Sequence, residues 1–152
     1  MVNLRTRVFQ AWFRFRRPMT MGVRAAVEND EGHVLMVRHT YTKGWFLPGG
    51  GVEKDEPAIE AIRRELVEEG GVQLDGTPLL VGVYSNHRYF RNDHVVLYRV
   101  PSGFWMPCKA TSRGEIAETA WVDPLAPPEG TTPGNARRLR ELYGGADIDP
   151  FW

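Results

Sequence analysis

The chain has one cysteine, Cys108, in 152 residues. A lone thiol closes no internal disulfide, so a reducing, cytoplasmic setting is the expectation. No stretch approaches the roughly 18 consecutive apolar residues that a membrane-crossing helix needs. The start has no continuous apolar core, because arginines interrupt it, and no secretory signal is read there. An excess of either charge is also missing. The 19 Lys and Arg match 19 Asp and Glu, which argues against stable nucleic-acid binding, where a strong basic excess is usual. Repeats and low-complexity tracts are absent. What remains is an ordinary soluble composition, 42% hydrophobic and 25% charged. The length suits one globular domain that buries roughly 70% of its unfolded surface.

Charge is segregated at the N-terminal end. Residues 1–27 carry Arg5, Arg7, Arg14, Arg16, Arg17 and Arg24 and no Asp or Glu. Leu4, Val8, Ala11, Trp12 and Phe15 recur there at helical spacing, and Pro18 ends such a helix at or before Arg17. Residues 1–17 are therefore expected as an amphipathic helix whose apolar stripe docks on protein. Its own sheet and a second subunit, hence a homodimer, are the two candidate partners. Contact with an anionic membrane surface and a contribution to phosphate binding are the alternatives. Residues 18–152 form the single remaining domain.

Along that domain, Met21–Glu28 and His33–Arg38 read as strands around the turn signal Asn29-Asp30-Glu31-Gly32. Trp45-Phe46-Leu47 reads as a short strand. Asp75-Gly76 marks a turn, after which Leu79–Ser85, His94–Val100 and Ile116–Val122 are extended. Pro101–Arg113 reads as an irregular loop, and Thr132-Pro133 opens a last helix with Ala136, Leu139, Leu142 and Tyr143 on its apolar side. Strands on both sides of one central helix, with a second helix at the end, predict an α/β fold with a mixed sheet between helices.

The central helix carries the chemistry. After Leu47-Pro48-Gly49-Gly50-Gly51, a run suited to close backbone approach, come Glu56 and Pro57, a helix start. Ile59, Ile62 and Leu66 anchor one side. Glu65, Glu68 and Glu69 stand three and four apart and fall within about 100° of one another on a helix. Glutamate-rich faces are usually solvated surface, and like charges so placed repel. The glycine run before this one favours another reading, because a hard divalent cation would reverse the repulsion.

Gly50, Glu56, Arg64-Glu65-Leu66, Glu68-Glu69, Gly71 and Val72 match the pattern G-x5-E-x7-R-E-U-x-E-E-x-G-U, with U aliphatic, at every specified position. This stretch resembles the Nudix box, and the chain is identified as similar to the Nudix hydrolases. The resemblance implies an α/β/α sandwich with a mixed β-sheet and a pyrophosphohydrolase that uses Mg²⁺, with Mn²⁺ as a substitute. It also implies Glu65, Glu68, Glu69 and the Gly49 carbonyl as metal ligands, with Glu56 and Arg64 as orienting residues beside them. A further glutamate facing the box helix across the metal site is common in the family; in GEIAETAW it is Glu115 in preference to Glu118, which makes Glu115 a further metal ligand. The general base is ranked Glu69, then Glu65, then Glu115. No box acid is missing, which disfavours a non-catalytic nucleotide-binding module.

Substrate signals are thin. Arg24, Arg38 and His39 are candidates for phosphate contacts, and Trp45, Phe46, Tyr84, Tyr89 and Phe90 for base stacking, although packing is the commoner role for such aromatics. Tyr89 lies 17 residues after Val72, a placement that resembles a dinucleoside-polyphosphate signature. The proline of ADP-ribose-type members is absent, since His87 and Arg88 stand there, and no coenzyme A pattern is present. The leading expectation is cleavage of a nucleoside diphosphate linked to another moiety. A MutT-like nucleoside triphosphate pyrophosphohydrolase of the housecleaning type is the alternative.

Overall fold

The structure, a computed structural model, describes residues 4–112 and 114–152. Residues 1–3 of the predicted N-terminal helix and Arg113 of the predicted loop lie outside the described residues. Helix α1 (Leu4–Arg16) is followed by strands β1 (Thr20–Val27) and β2 (Val34–His39). The Asn29 side-chain oxygen accepts from the N–H groups of Glu31 and His33 and shapes the turn between these strands. Helix α2 (Ala58–Glu65) runs on as a π-helical turn, Leu66–Gly70. Then come β3 (Val72–Leu74), β4 (Leu79–Ser85), β5 (Asp93–Val100), β6 (Trp105–Pro107), β7 (Ile116–Val122) and α3 (Pro133–Tyr143).

The central sheet has the order β1-β5-β4, with β1 and β5 parallel and β5 and β4 antiparallel. Two antiparallel pairs, β2 with β7 and β3 with β6, flank it. Alternate residues of a strand face opposite ways, and the core divides accordingly. Val23, Ala25 and Val27 of β1 pack with Val96, Tyr98 and Val100 of β5, with Ala61 and Ile62 of α2 and with Leu66 of the π-helical turn. Ala26, Val95 and Leu97 face the other way, onto Leu139 of α3, Tyr84 and Trp152. Full burial of such a side chain stabilises by about 1.5–3 kcal/mol. The result is the mixed-sheet α/β/α sandwich.

Three local expectations change. Trp45-Phe46-Leu47 contributes two isolated bridges, Val37 with Phe46 and Trp45 with Thr131, in place of a strand; Pro48 has no N–H to extend the ladder. The predicted loop 101–113 contains β6, whose Trp105 stacks on Trp121 at 5.3 Å and donates its indole N–H to the Glu28 carbonyl. Helix α1 forms where expected, but every residue in it is exposed, with Leu4, Trp12 and Phe15 at 76%, 51% and 86%. Within the single chain the stripe is not docked on the domain, whose sheet is already covered by α2 and α3.

Candidate active site

The glycine loop lies along β1. Ala25 and Val23 donate their N–H groups to the carbonyls of Pro48 and Gly50, and Val52 donates to Met21. Gly49, between them, faces the other way and donates its N–H to Glu69 Oε2 at 3.0 Å. Its φ of +144° and the Val23 carbonyl against the place of a Cβ require glycine. A Cβ on Gly50 would fall on the Glu65 carboxylate, so loop backbone and helix acid are in contact. Asn135, at the start of α3, fastens the loop from behind: its side-chain oxygen accepts from the Leu47 N–H at 3.0 Å, and its amide donates to Thr132 Oγ1.

On α2, the buried Ala61, Ile62 and Leu66 hold the opposite side in the core and present Arg64 to a ring of acids. Its Nε and Nη2 form a fork on Glu56, both at 3.0 Å. Nη1 donates to Glu65 at 2.7 Å and to Glu68 at 3.3 Å, and Nη2 also reaches the Gly51 carbonyl. The Arg64 hydrogen bonds, followed by that from the Glu53 N–H, hold the Glu56 carboxyl below its usual range.

Beyond Glu65 the helix widens, and the Gly71 N–H reaches the Leu66 carbonyl five residues back. The two acids of this π-helical turn lie in different environments. Glu69 is 6% exposed and His39 5%; the Glu69 carboxylate meets His39 Nε2 at 2.7 Å and the Gly49 N–H with its other oxygen. Glu68 stays at the rim. Burial pushes the Glu65 carboxyl above its ordinary range; Arg64 opposes this, and the charges of Glu69 and Glu68 add to it.

Arg24 reaches toward these acids. It donates to the Leu47 carbonyl at 2.7 Å and lies over the Phe46 ring. Burial lowers its pKa, while the Glu69 and Glu65 charges oppose that shift. Glu56, Glu65, Glu68 and Glu69 therefore outnumber Arg24 and Arg64, and every side-chain donor in the excess is oxygen. That donor set fits a hard divalent cation. Arg64, His39 and the Gly49 N–H contact these carboxylates.

The other sequence candidates scatter around this centre. Arg38 pairs with Glu118 at 2.7 Å on the exposed face of β2 and β7 and lies over Trp45. Glu115 is exposed just ahead of β7, with its carbonyl taking the Thr40 N–H. Tyr41, not singled out from the sequence, stands between the two regions. Its ring is 5.1 Å from that of His39, and desolvation of the hydroxyl and then the Glu69 charge raise its pKa, with a smaller push from Glu115.

A cleft of about 510 Å³ adjoins the centre, with Arg24, Gly50 and Gly51 in its wall. Phe46, Tyr89 and Trp152 supply aromatic surface, and Asn86 and Asp93 polar groups. Tyr84, another stacking candidate, is instead core. Trp152 has no local signal in the sequence: Arg137 and Arg138 bind the backbone oxygens of Asp149, Phe151 and Trp152 and fold the final residues against Tyr84. A second hollow, open and about 550 Å³, follows β2 at 38–44 and includes Arg38, His39 and Lys43.

The NUDIX domain family model matches residues 18–142. The chain belongs to the Nudix hydrolase family. A Bacillus subtilis (strain 168) relative bearing the provisional name 8-oxo-dGTP diphosphatase is 30% identical over 128 residues, covering 84% of this chain and 82% of the relative. A MutT-like protein of Streptomyces ambofaciens is 30% identical over the same length, with 84% and 79% covered. Among solved structures, the MutT Nudix hydrolase of Burkholderia pseudomallei superposes with a TM-score of 0.67 at 23% identity over 81% of this chain and 97% of that one, a likeness in the Nudix fold. The family model begins at residue 18, so α1 precedes the matched Nudix domain.

Proposed function

We propose that this Nudix hydrolase cleaves a pyrophosphate bond of a nucleoside triphosphate with the help of Mg²⁺. The observation that carries the reading is the junction of cleft and acids. Arg24, Gly50 and Gly51 line the cleft, and they also contact or face Glu65, Arg64 and Glu69. A base and sugar in the cleft would bring their phosphates to the carboxylate face. The cleft suits one nucleoside, and the open polar hollow beside His39 suits a released pyrophosphate. For that reason the triphosphate is preferred to the nucleoside diphosphate linked to another moiety, and the names of the relatives support the same order. The diphosphate-linked class remains the second reading, with its polar moiety in the hollow.

Glu65, Glu68, Glu69 and the Gly49 carbonyl would hold the metal, with Glu115 closing the rim. A bound divalent cation would screen the phosphate oxygens and acidify water. Arg24 would bind a phosphate oxygen, and Arg64 would keep Glu56, Glu65 and Glu68 in register. Glu69, oriented by His39 and the Gly49 N–H, is the first choice to accept the proton of the attacking water, and Glu65 the second. Incubating the purified chain and Mg²⁺ with a panel of nucleotides, then identifying products, tests the proposal. Nucleoside monophosphate plus pyrophosphate is expected. Turnover confined to diphosphate-linked compounds would select the second reading, and no Mg²⁺-dependent turnover of any nucleotide would end both.

The rim assignment has its own test. Glu115→Gln should lower kcat by about 10- to 10³-fold, whereas Glu118→Gln, which loses only an exposed partner of Arg38, should change it little. The opposite ranking would remove Glu115 from the site.

A further inference from the structure

Helix α1 has no role in the site above, and none of its side chains is buried against the domain. Its side chains nevertheless have a definite distribution. At 100° per residue, Leu4, Phe15, Val8, Trp12, Phe9 and Phe13 sweep an arc of about 180°. A helix laid on a sheet needs an apolar stripe of about 100°, so one flat protein face would leave part of this arc in water. Arg5 and Arg16 stand near the middle of this arc, in the first and last turns of the helix, with the Arg16 guanidinium 5.8 Å from the Trp12 ring centre. Arg7 and Arg14 share the opposite side with Gln10. All of these side chains are exposed.

Charge follows the same division. Arg5, Arg7, Arg14, Arg16 and Arg17 lie in residues 1–17 without one acid, leaving 14 basic against 19 acidic residues in the remainder. The basic character belongs to this helix and not to the domain. A protein partner would have to place carboxylates against each arginine and also wrap half the helix. A layer of lipid headgroups does both, because acyl chains and phosphates surround a helix sunk to its middle, and arginine stems can extend from the apolar level to the headgroups. Aromatic side chains are at home at that depth.

We propose that α1 is a peripheral anchor that lies in the interface of an anionic lipid bilayer and holds the Nudix domain at its surface. The partner is the bilayer, recognised by apolar depth and negative charge together. Neither feature alone would hold a 13-residue helix firmly.

The full chain should co-sediment with vesicles of phosphatidylcholine and phosphatidylglycerol in equal parts, and should remain in solution with phosphatidylcholine alone. Added salt should weaken the binding. Arg7→Gln with Arg14→Gln should weaken partitioning by on the order of five-fold per arginine. Trp12→Ala with Phe15→Ala should weaken it by about ten-fold or more. Turnover of a soluble nucleotide should stay unchanged in both variants, which separates this proposal from the assignment of the site. Three results would overturn it: no sedimentation with the anionic vesicles, equal sedimentation with neutral ones, or a wild-type dimer that ignores vesicles and becomes monomeric in the Trp12→Ala, Phe15→Ala variant.

Discussion

Glu65→Gln should lose at least about 10³-fold in kcat, yet its metal-free form should melt no lower than the wild type at neutral pH. Both effects come from one carboxylate. Glu65 is buried against Gly50, and burial, reinforced by Glu69 and Glu68, raises its pKa despite Arg64. A raised folded-state pKa means that the fold binds this proton more tightly than the unfolded chain does. The favourable contribution is present below the unfolded pKa and is lost as pH rises through the folded value. At neutral pH the ionised group therefore opposes folding until a cation neutralises it. Glutamine keeps an oxygen for the Arg64 bond and removes the charge. Melting in EDTA should put the variant level with or above wild type, with the gap narrowing as pH falls into the acid range. Mg²⁺ should raise the wild-type Tm by mass action and raise the variant's far less. A variant with wild-type turnover and the same Mg²⁺ response would remove Glu65 from the metal site.

How much of this was legible in the chain depended on how local the information was. β4 and β7 match their expected ranges, because alternation and turn residues are short-range signals. The α2 face was legible for the same reason: Glu65, Glu68 and Glu69 are named by spacing alone. Spacing did not say that they would take different environments. Glu69 is buried against His39 while Glu68 stays at the rim, and Gly71, which follows the π-helical turn, fits beside the Cys108 carbonyl, a contact across 37 positions. His39 was a phosphate candidate from its place near a strand edge, whereas its observed partner is the Glu69 carboxylate. β6 was hidden because three residues carry no periodicity, and its pairing with β3 is a tertiary fact.

The wall of the cleft was the least legible part. Trp152, Asn86 and Asp93 come from three distant segments, and no motif joins them. Tyr89, chosen for its distance from Val72, does line the cleft, while Tyr84, chosen on the same aromatic grounds, is core. Residue type could not separate them, because on β4 and the loop after it only the direction of the side chain differs.

Arg138→Leu should cost about 3–5 kcal/mol of folding stability, the usual effect of taking one partner from a buried ion pair. Arg138 is fully buried and bonds Glu141, itself nearly inaccessible, at 2.6 Å. Its guanidinium lies 3.9 Å from the Tyr84 ring centre and 5.7 Å from that of Trp152, and it donates to the Asp149 carbonyl. Burial lowers its pKa while Glu141 opposes that shift. Leucine would leave Glu141 ionised without a cation, and the final residues would lose one of their ties to α3. Because Trp152 lines the cleft, KM for the proposed nucleotide substrate should rise several-fold while kcat, which the proposal assigns to Glu65, Glu68 and Glu69, changes little. Adding Glu141→Gln to Arg138→Leu should recover more than half of the lost stability, since the stranded charge is gone and the glutamine oxygen can still accept the Asp149 N–H. Urea unfolding of the three proteins measures this directly. A single variant within about 1 kcal/mol of wild type, the scale of an exposed pair, would mean that Arg138 does not organise this end of the molecule.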